Sequence, residues 1–160
     1  MFGKGNSMMT KHPMILVPLI TLFVTLTDVR ATCAAIVGAE LPNDAAEDSC
    51  NMLSVLLGTQ DEEAIRRFVL QQTNRHEMSI RNGQWKYLDH KGSGGNDYKK
   101  ERLKPHVLKD TDPDAPGQLY NLKTDPGETN NPYSAHPELV QKLKAQLEEC
   151  ISSGRSAPLR

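Results

Sequence analysis

The sequence predicts an α+β fold, a small antiparallel β-sheet of about four strands packed against a C-terminal amphipathic helix and preceded by an N-terminal apolar segment and helix. Two stretches carry this expectation. In Met78–Leu88, Asn82-Gly83 separates two mixed apolar and polar runs, the strongest short-range hairpin signal, because both central residues of a type I′ turn need positive φ. A two-residue Asn82-Gly83 loop sets Arg81 opposite Gln84, Ile80 opposite Trp85, Ser79 opposite Lys86 and Met78 opposite Tyr87. Alternation then places Met78, Ile80, Trp85 and Tyr87 on one face. The second stretch begins at Pro137, which suits the first position of a helix. Leu139, Val140, Leu143, Leu147, Cys150 and Ile151 follow at helical spacing, and Gly154 can end it. Glu138–Lys142 and Lys144–Glu148 are i,i+4 pairs in the favourable order.

A lone hairpin is marginal in water, so its apolar face, which includes the single Trp of the chain, needs cover. The helical stripe supplies it, and Phe68–Thr73 and Gln118–Leu122 supply further strands. Asp125-Pro126-Gly127 is a turn signature directly after the last of these.

The N-terminal part is less regular. Lys4 and Lys11 lead into Met14–Leu26, an apolar run interrupted by Pro18 and Thr21, shorter than the roughly twenty residues a membrane span needs. It fits the apolar region of an export signal, with Ala31-Thr32-Cys33 as the best cleavage site, a poor one. A buried core segment packed on the following helix and a membrane anchor are the alternatives. That helix is expected to start at Thr27 as cap, to bury Val29, Cys33, Ile36 and Val37, and to end at Gly38. Asp28 then sits near a helix N-terminus, where its charge suits the dipole. Leu41-Pro42-Asn43-Asp44 breaks the chain and Ala45–Ser49 reads as loop. Asn51–Leu57 is a short apolar segment stopped by Gly58. Thr59 and Glu62 have capping-box spacing for a short helix reaching about Arg67.

Composition narrows the function classes. With 160 residues, 38% of them hydrophobic, one core can form. A net charge of −1 offers no footprint for nucleic acid or an anionic membrane. Cys33, Cys50 and Cys150 are odd in number and far apart, which suggests neither a disulfide framework nor a zinc site. Asp89–Pro116 is a long polar stretch with His90, Lys91, the run Gly92-Ser93-Gly94-Gly95 and a basic cluster of Lys99, Lys100, Arg102 and Lys104. Loops of that length are functional or disordered. The glycines are not followed by Lys-Ser/Thr or by a predicted helix, so a phosphate loop is not expected. Asp97, Glu101 and Asp110 intersperse the cations, as on an ordinary solvated surface.

These residues also carry a resemblance. Thr27-Asp28-Val29 through Gly38-Ala39-Glu40-Leu41-Pro42, then Asp48-Ser49, Leu53–Gly58, Ile80-Arg81-Asn82-Gly83-Gln84-Trp85-Lys86-Tyr87 and Gly117–Thr129 together resemble the C-terminal part of a sulfatase of the arylsulfatase A type, over about Val24 to Gly154. The hairpin and the Leu119-Tyr120-Asn121-Leu122-Lys123-Thr124-Asp125-Pro126-Gly127-Glu128 strand-turn are its most specific pieces. The resemblance implies that family's smaller C-terminal subdomain, a four-stranded antiparallel sheet against a helix. It further implies a sulfuric ester hydrolase whose nucleophile is a formylglycine made from the Cys of C-x-[P/A]-x-R and whose metal is calcium. Neither is expected in this chain. Cys33 precedes Ala34-Ala35-Ile36-Val37, Cys50 precedes Asn51-Met52-Leu53-Ser54 and Cys150 precedes Ile151-Ser152-Ser153-Gly154, so no cysteine has the motif, and no metal ligands or catalytic residues are assigned. In the family's geometry the loop with His90 and Lys91 lies near the active-site rim, which makes these two the substrate-rim candidates.

The expected organisation is therefore a polar and apolar N-terminus (1–26), signal-like or a foreign start, a remnant of the catalytic-domain end (27–58), a sulfatase C-terminal subdomain (59–154) and a tail (155–160). The resemblance implies an inactive C-terminal fragment from a degenerate or truncated copy. A secreted or anchored module that binds sulfated or other anionic glycans through the Gly/Lys loop, and a half-enzyme completed by another chain, are the alternatives. A sulfate ester or sulfated glycan is the expected ligand of a completed enzyme, no nucleic acid is expected as partner, and a secreted or periplasmic location follows if the export signal is real.

Overall fold

In a computed structural model, which describes residues 23–59 and 64–160, the sheet consists of β1 (Phe68–Gln72), β2 (Met78–Asn82), β3 (Trp85–Leu88) and β4 (Gln118–Asn121). They lie in sequence order and every neighbouring pair is antiparallel. Alternation puts Leu70, Ile80, Tyr87 and Leu119 in one row across all four strands. On this row lies the long helix α3 (Pro137–Ser153), which starts on its proline and ends at Gly154 with φ +67°. Val140, Leu143 and Leu147 pack from the helix onto Ile80, Tyr87 and Leu119, with Phe68, Leu70, Met78, Trp85, Tyr133 and Leu139 around them. Each large side chain buried here contributes about 1.5–3 kcal/mol. Ile151, expected in the stripe, is exposed at the last turn of α3.

The hairpin closes one step later than expected. Asn82 pairs with Trp85 and Ile80 with Tyr87, so the loop is Gly83-Gln84. Gly83 has φ +58°, and Gln84 is not among the described residues with positive φ. That pattern fits a type II′ turn, which asks for one left-handed residue and takes glycine there, whereas the expected type I′ turn asks Asn82 to become left-handed as well. Because β3 slides by two residues against β2, the two-residue side-chain period keeps Met78, Ile80, Trp85 and Tyr87 on the core face.

The N-terminal part forms a 3₁₀ turn (Leu26–Asp28), α1 (Val29–Val37) and one turn of helix, α2 (Leu53–Leu56). Gly38 ends α1 at φ +69°, as expected. The expected cap Thr27 lies inside the 3₁₀ turn: Thr25 caps that turn, its backbone N–H donating to Asp28 Oδ2 at 2.8 Å, and Asp28 itself is the N-cap residue of α1. The expected face is corrected too. Ala31, Thr32 and Ala34 are buried while Val29, Cys33, Ile36 and Val37 point outward. Small side chains let α1 approach the 49–52 segment, where the Ser49 hydroxyl accepts from Ala31 N at 2.8 Å and the Thr32 hydroxyl accepts from Met52 N at 3.0 Å.

Asp28 does more than face a helix dipole. It is buried and ion-paired with buried Arg66, and its Oδ1 accepts from Cys50 N at 2.9 Å. Burial pushes this carboxyl up, but hydrogen bonds from Arg66, Cys50 N and Thr25 N outweigh it and hold the group below its ordinary value. Ala64–Arg67, where the helix after Thr59 was expected to end, is not helical; the start of that expected helix lies at residues 60–63, outside the described residues. Most of Met14–Leu26 also lies outside them. In its described part, Phe23 is buried beneath the Arg81 guanidinium, which lies 5.1 Å from the ring centre, while Val24 and Leu26 are exposed. No described helix is long and apolar enough to cross a membrane.

Residues 155–160 fold back over the 42–49 loop. Ser156 N and Oγ donate to Asp48 Oδ1 at 2.8 and 2.7 Å, and Ala157 N donates to Glu47 O at 3.0 Å. The Arg160 guanidinium donates to the carbonyls of Ala45, Ala46 and Ser49 at 2.8 to 2.9 Å.

Candidate functional site

The sheet face opposite α3 carries the alternate residues Ser79, Lys86, Leu88, Gln118 and Tyr120. The long loop after β3 arches over them and borders an open cavity of about 570 Å³. Gln118 ties the loop down. Its Nε2 donates to the carbonyls of His90 at 2.9 Å and Gly92 at 2.8 Å, and its Oε1 accepts from the Tyr120 hydroxyl at 2.7 Å. Burial pushes the Tyr120 phenol up to about 12, so it stays a neutral donor over the ordinary pH range. Asn131 secures the other edge, where its Oδ1 accepts from Leu119 N at 2.9 Å and its backbone N–H donates to Thr111 Oγ1 at 2.6 Å.

The glycine run gives the loop its close approach. Gly94 has φ +65°, and a Cβ there would run into Thr73 and His90. The segment therefore presses on the β1–β2 turn in a way no larger residue permits.

The two rim candidates part company. His90 is buried, lines the cavity and sets its Nδ1 3.8 Å from Glu77 Oε2. Lys91 is exposed and turns aside, donating from Nζ to Pro113 O at 2.9 Å. The lysines that do line the cavity are Lys109 and Lys86, the latter paired with Glu128 at 2.7 Å. Lys86, Gln118, Tyr120 and Asn131 were not singled out from sequence. For the first three the signal was available, since once Tyr87 and Leu119 point inward their neighbours must point outward.

Among the described residues no group of three or more His, Cys, Asp or Glu side chains is placed to hold a metal ion. Cys33 is exposed, Cys50 and Cys150 are buried, and all three are free. Burial pushes the Cys50 and Cys150 thiols up, away from the thiolate a nucleophile needs. What this face can do is bind a polar ligand through amide, phenol, imidazole and ammonium groups.

No family model matches the sequence. Over 121 residues, 76% of the chain, it is 36% identical to the N-acetylgalactosamine-6-O-sulfatase of Bacteroides thetaiotaomicron, of which it covers 22%. A solved 6S-sulfatase structure, from work on the metabolism of multiple glycosaminoglycans by B. thetaiotaomicron, superposes with a TM-score of 0.58 at 36% identity, covering 76% of this chain and 24% of that one. The chain fits a sulfatase C-terminal portion. The crystal structure of Ps i-CgsB is also similar, at 20% identity and a TM-score of 0.48, over 76% of this chain and 23% of that one. The chain spans less than a quarter of the length of the sulfatases it matches.

Proposed function

We propose that this chain supplies the C-terminal subdomain of a sulfuric ester hydrolase of the arylsulfatase type and hydrolyses no sulfate ester by itself. The observation that carries this reading is the 36% identity to an N-acetylgalactosamine-6-O-sulfatase over 121 residues. Hydrolysis needs a nucleophile in line with the sulfur and electrostatic stabilisation of the departing oxygen. This chain has no C-x-[P/A]-x-R cysteine. No G-x-S-x-G or S-x-x-K pattern activates a hydroxyl. Formylglycine and calcium belong, on this reading, to the larger part of the enzyme. The cavity wall with His90, Lys86, Gln118 and Tyr120 is the surface this portion offers to a sulfated glycan held by the whole. Export is part of the same proposal, resting on Lys4, Lys11 and the Met14–Leu26 run.

The experiment is arylsulfate turnover by the purified chain with and without calcium, alongside mass spectrometry of the three cysteine peptides. The expected result is turnover no greater than a heat-denatured control and no formylglycine. Turnover that disappears when Cys33, Cys50 or Cys150 is changed to Ala would overturn the proposal. The glycan-binding alternative has one observation in its favour, since Lys99, Lys100 and Arg102 are exposed. Retention on heparin that is lost when these three are changed to Ser would favour it over the first reading.

A further inference from the structure

The cavity over the sheet face is lined by polar side chains that are themselves out of solvent: Ser79, His90, Gln118, Tyr120 and Asn131 are each 8% exposed or less. Three of the five are committed to the fold. Gln118 holds the His90 and Gly92 carbonyls and the Tyr120 hydroxyl, and Asn131 holds Leu119 N and the Asp110 carboxylate. The Ser79 hydroxyl and His90 Nε2 remain. Neither bonds to another described residue, and neither is among the polar atoms sealed from solvent without a partner, so both are open to the space they line. Strand register brings them together. Ser79 pairs with Leu88, and Asp89 N donates to Met78 O at 3.1 Å, which sets His90 beside Glu77 and diagonal to Ser79.

The neighbours of the His90 ring decide where its proton sits. Nδ1 lies 3.2 Å from the Lys91 carbonyl and 3.8 Å from Glu77 Oε2. Both are acceptors, so the neutral ring carries its hydrogen on Nδ1 and turns the lone pair of Nε2 to the cavity. A ligand at Nε2 must therefore bring a hydrogen. A sugar hydroxyl does so and accepts from Ser79 Oγ at the same time, whereas a sulfate ester or a carboxylate offers acceptors alone. Charge points the same way. Among the described residues, the anionic side chains on or beside the cavity are Glu77, Asp110 and Glu128 and the cationic ones Lys86 and Lys109, with Lys86 already paired to Glu128. An acidic group meets no positive excess there. Val107 and Leu108 add exposed apolar wall, against which the C–H face of a sugar ring packs.

We propose that this cavity is a subsite for an uncharged sugar unit, whose hydroxyl donates to His90 Nε2 and accepts from Ser79 Oγ, and that it disfavours a sulfated or uronic acid unit. The choice of a glycan rests on the sulfatase reading of the chain. What is added is which unit of the glycan sits here: an unmodified neighbour, not the one that carries the ester. Glu77 serves as a positioning residue, acting through the His90 ring.

The test titrates the full chain, at about pH 8 where free imidazole is neutral, with the methyl glycoside of N-acetylgalactosamine and with the 6-O-sulfate of that glycoside. Backbone amide NMR shifts follow binding, and ring nitrogen shifts read the His90 tautomer. The expected result is saturable shifts at Ser79, Leu88 and His90 with the neutral glycoside, an affinity for the sulfate ester about tenfold lower or less, and the ring proton on Nδ1. Ser79→Ala should weaken the neutral glycoside about tenfold, the loss of one hydrogen-bond partner. Glu77→Gln should keep the neutral glycoside bound while the preference over the sulfate ester falls about threefold or more, because one carboxylate is gone. Loss of fold would not produce that split. Ile151→Ser, on α3, should change neither affinity. The two glycosides and the tautomer are read on the unaltered chain, so they decide the outcome even if a variant unfolds. No saturable shift with the neutral glycoside, equal or tighter binding of the sulfate ester, or a ring proton on Nε2 would each overturn the inference and leave the sulfatase reading standing. Undiminished binding by a folded Ser79→Ala chain would overturn it as well. Arylsulfate turnover by the chain alone would overturn the parent reading without altering the titration, so the two failures are told apart.

Discussion

Between Phe68 and Ser153 the chain buries its large side chains in a row of Ile80, Tyr87 and Leu119 under Val140, Leu143 and Leu147, whereas between Val24 and Leu57 it leaves most of them outside. Beside a small apolar cluster of Cys50, Met52 and Ala157, the second region is held by polar contacts: the buried Asp28–Arg66 pair, the Ser49 and Thr32 hydroxyls and the folded-back 155–160 segment. The difference teaches that two regions of one chain can be held by different kinds of contact. Sheet and helix satisfy each other's apolar faces, so their stability is internal. The α1 region turns its large apolar side chains outward, so directional hydrogen bonds carry much of its hold, and these weaken sharply when one partner is lost.

The largest effect should come from breaking the polar side of this comparison. Asp28→Ala leaves the Arg66 guanidinium buried without its counter-ion, a loss of about 3–5 kcal/mol. Hydrogen exchange should show it first in the α1 amides, with the β2 and β3 amides still protected. The same pair gives the region its pH dependence. The folded-state pKa of Asp28 is depressed, so its contribution is present above the unfolded value of about 4 and is lost as pH falls through that value toward the folded one. A denaturation midpoint followed from pH 6 to pH 3 should fall, and should fall less in Asp28→Asn. Equal acid sensitivity in the two proteins would assign the pH dependence elsewhere.

Leu147→Ala tests the apolar side. Leu147 is fully buried between α3 and the sheet, and truncation there should cost about 3 kcal/mol, within the 2–5 found for such cavities. Here the β2, β3 and α3 amides should lose protection together. A loss confined to α1 would erase the distinction between the two regions.

That distinction also governs what the sequence revealed. The hairpin and α3 were legible because their signals are local: a glycine at the turn, a helical stripe, Pro137 before it and Gly154 after. The hairpin loop was misplaced by one residue, and its register by two, because Asn82 and Gly83 both favour left-handed geometry, and only the preference for a single left-handed residue decides between the two loops. The face of α1 was read the wrong way round because pattern reading assumes that large apolar residues point to the chain's own core, and here Ala31 and Ala34 make the close contact. The role of Asp28 was hidden because its partner Arg66 is 38 residues away. In the candidate site, His90 was legible as a loop residue of interest, but its separation from Lys91 depends on Gln118 reaching back 28 residues to the His90 carbonyl, a closure no local pattern encodes.

The smallest expected effect concerns Arg160. Its guanidinium spans three carbonyls of the 45–49 loop, and its backbone N–H donates to Asn43 Oδ1 at 2.8 Å, so it laces the loop that lies between α1 and α2. These contacts are largely exposed, and water replaces much of what is lost when the side chain is removed. Arg160→Ala should therefore cost only about 1–2 kcal/mol, toward the low side of the roughly 1.5–3 that a charged hydrogen bond contributes. Because Asp48 O also accepts from Arg66 at 2.6 Å, the Arg160 contacts and the Asp28–Arg66 pair act on one loop. The double variant with Asp28→Ala should be non-additive, as expected of groups that share a partner. Exchange rates of the Ala31–Val37 amides in the two single variants and the double give the coupling. Strict additivity would show that the folded-back segment and the buried pair hold separate pieces of structure, and the α1 region would then be two weakly joined parts rather than one.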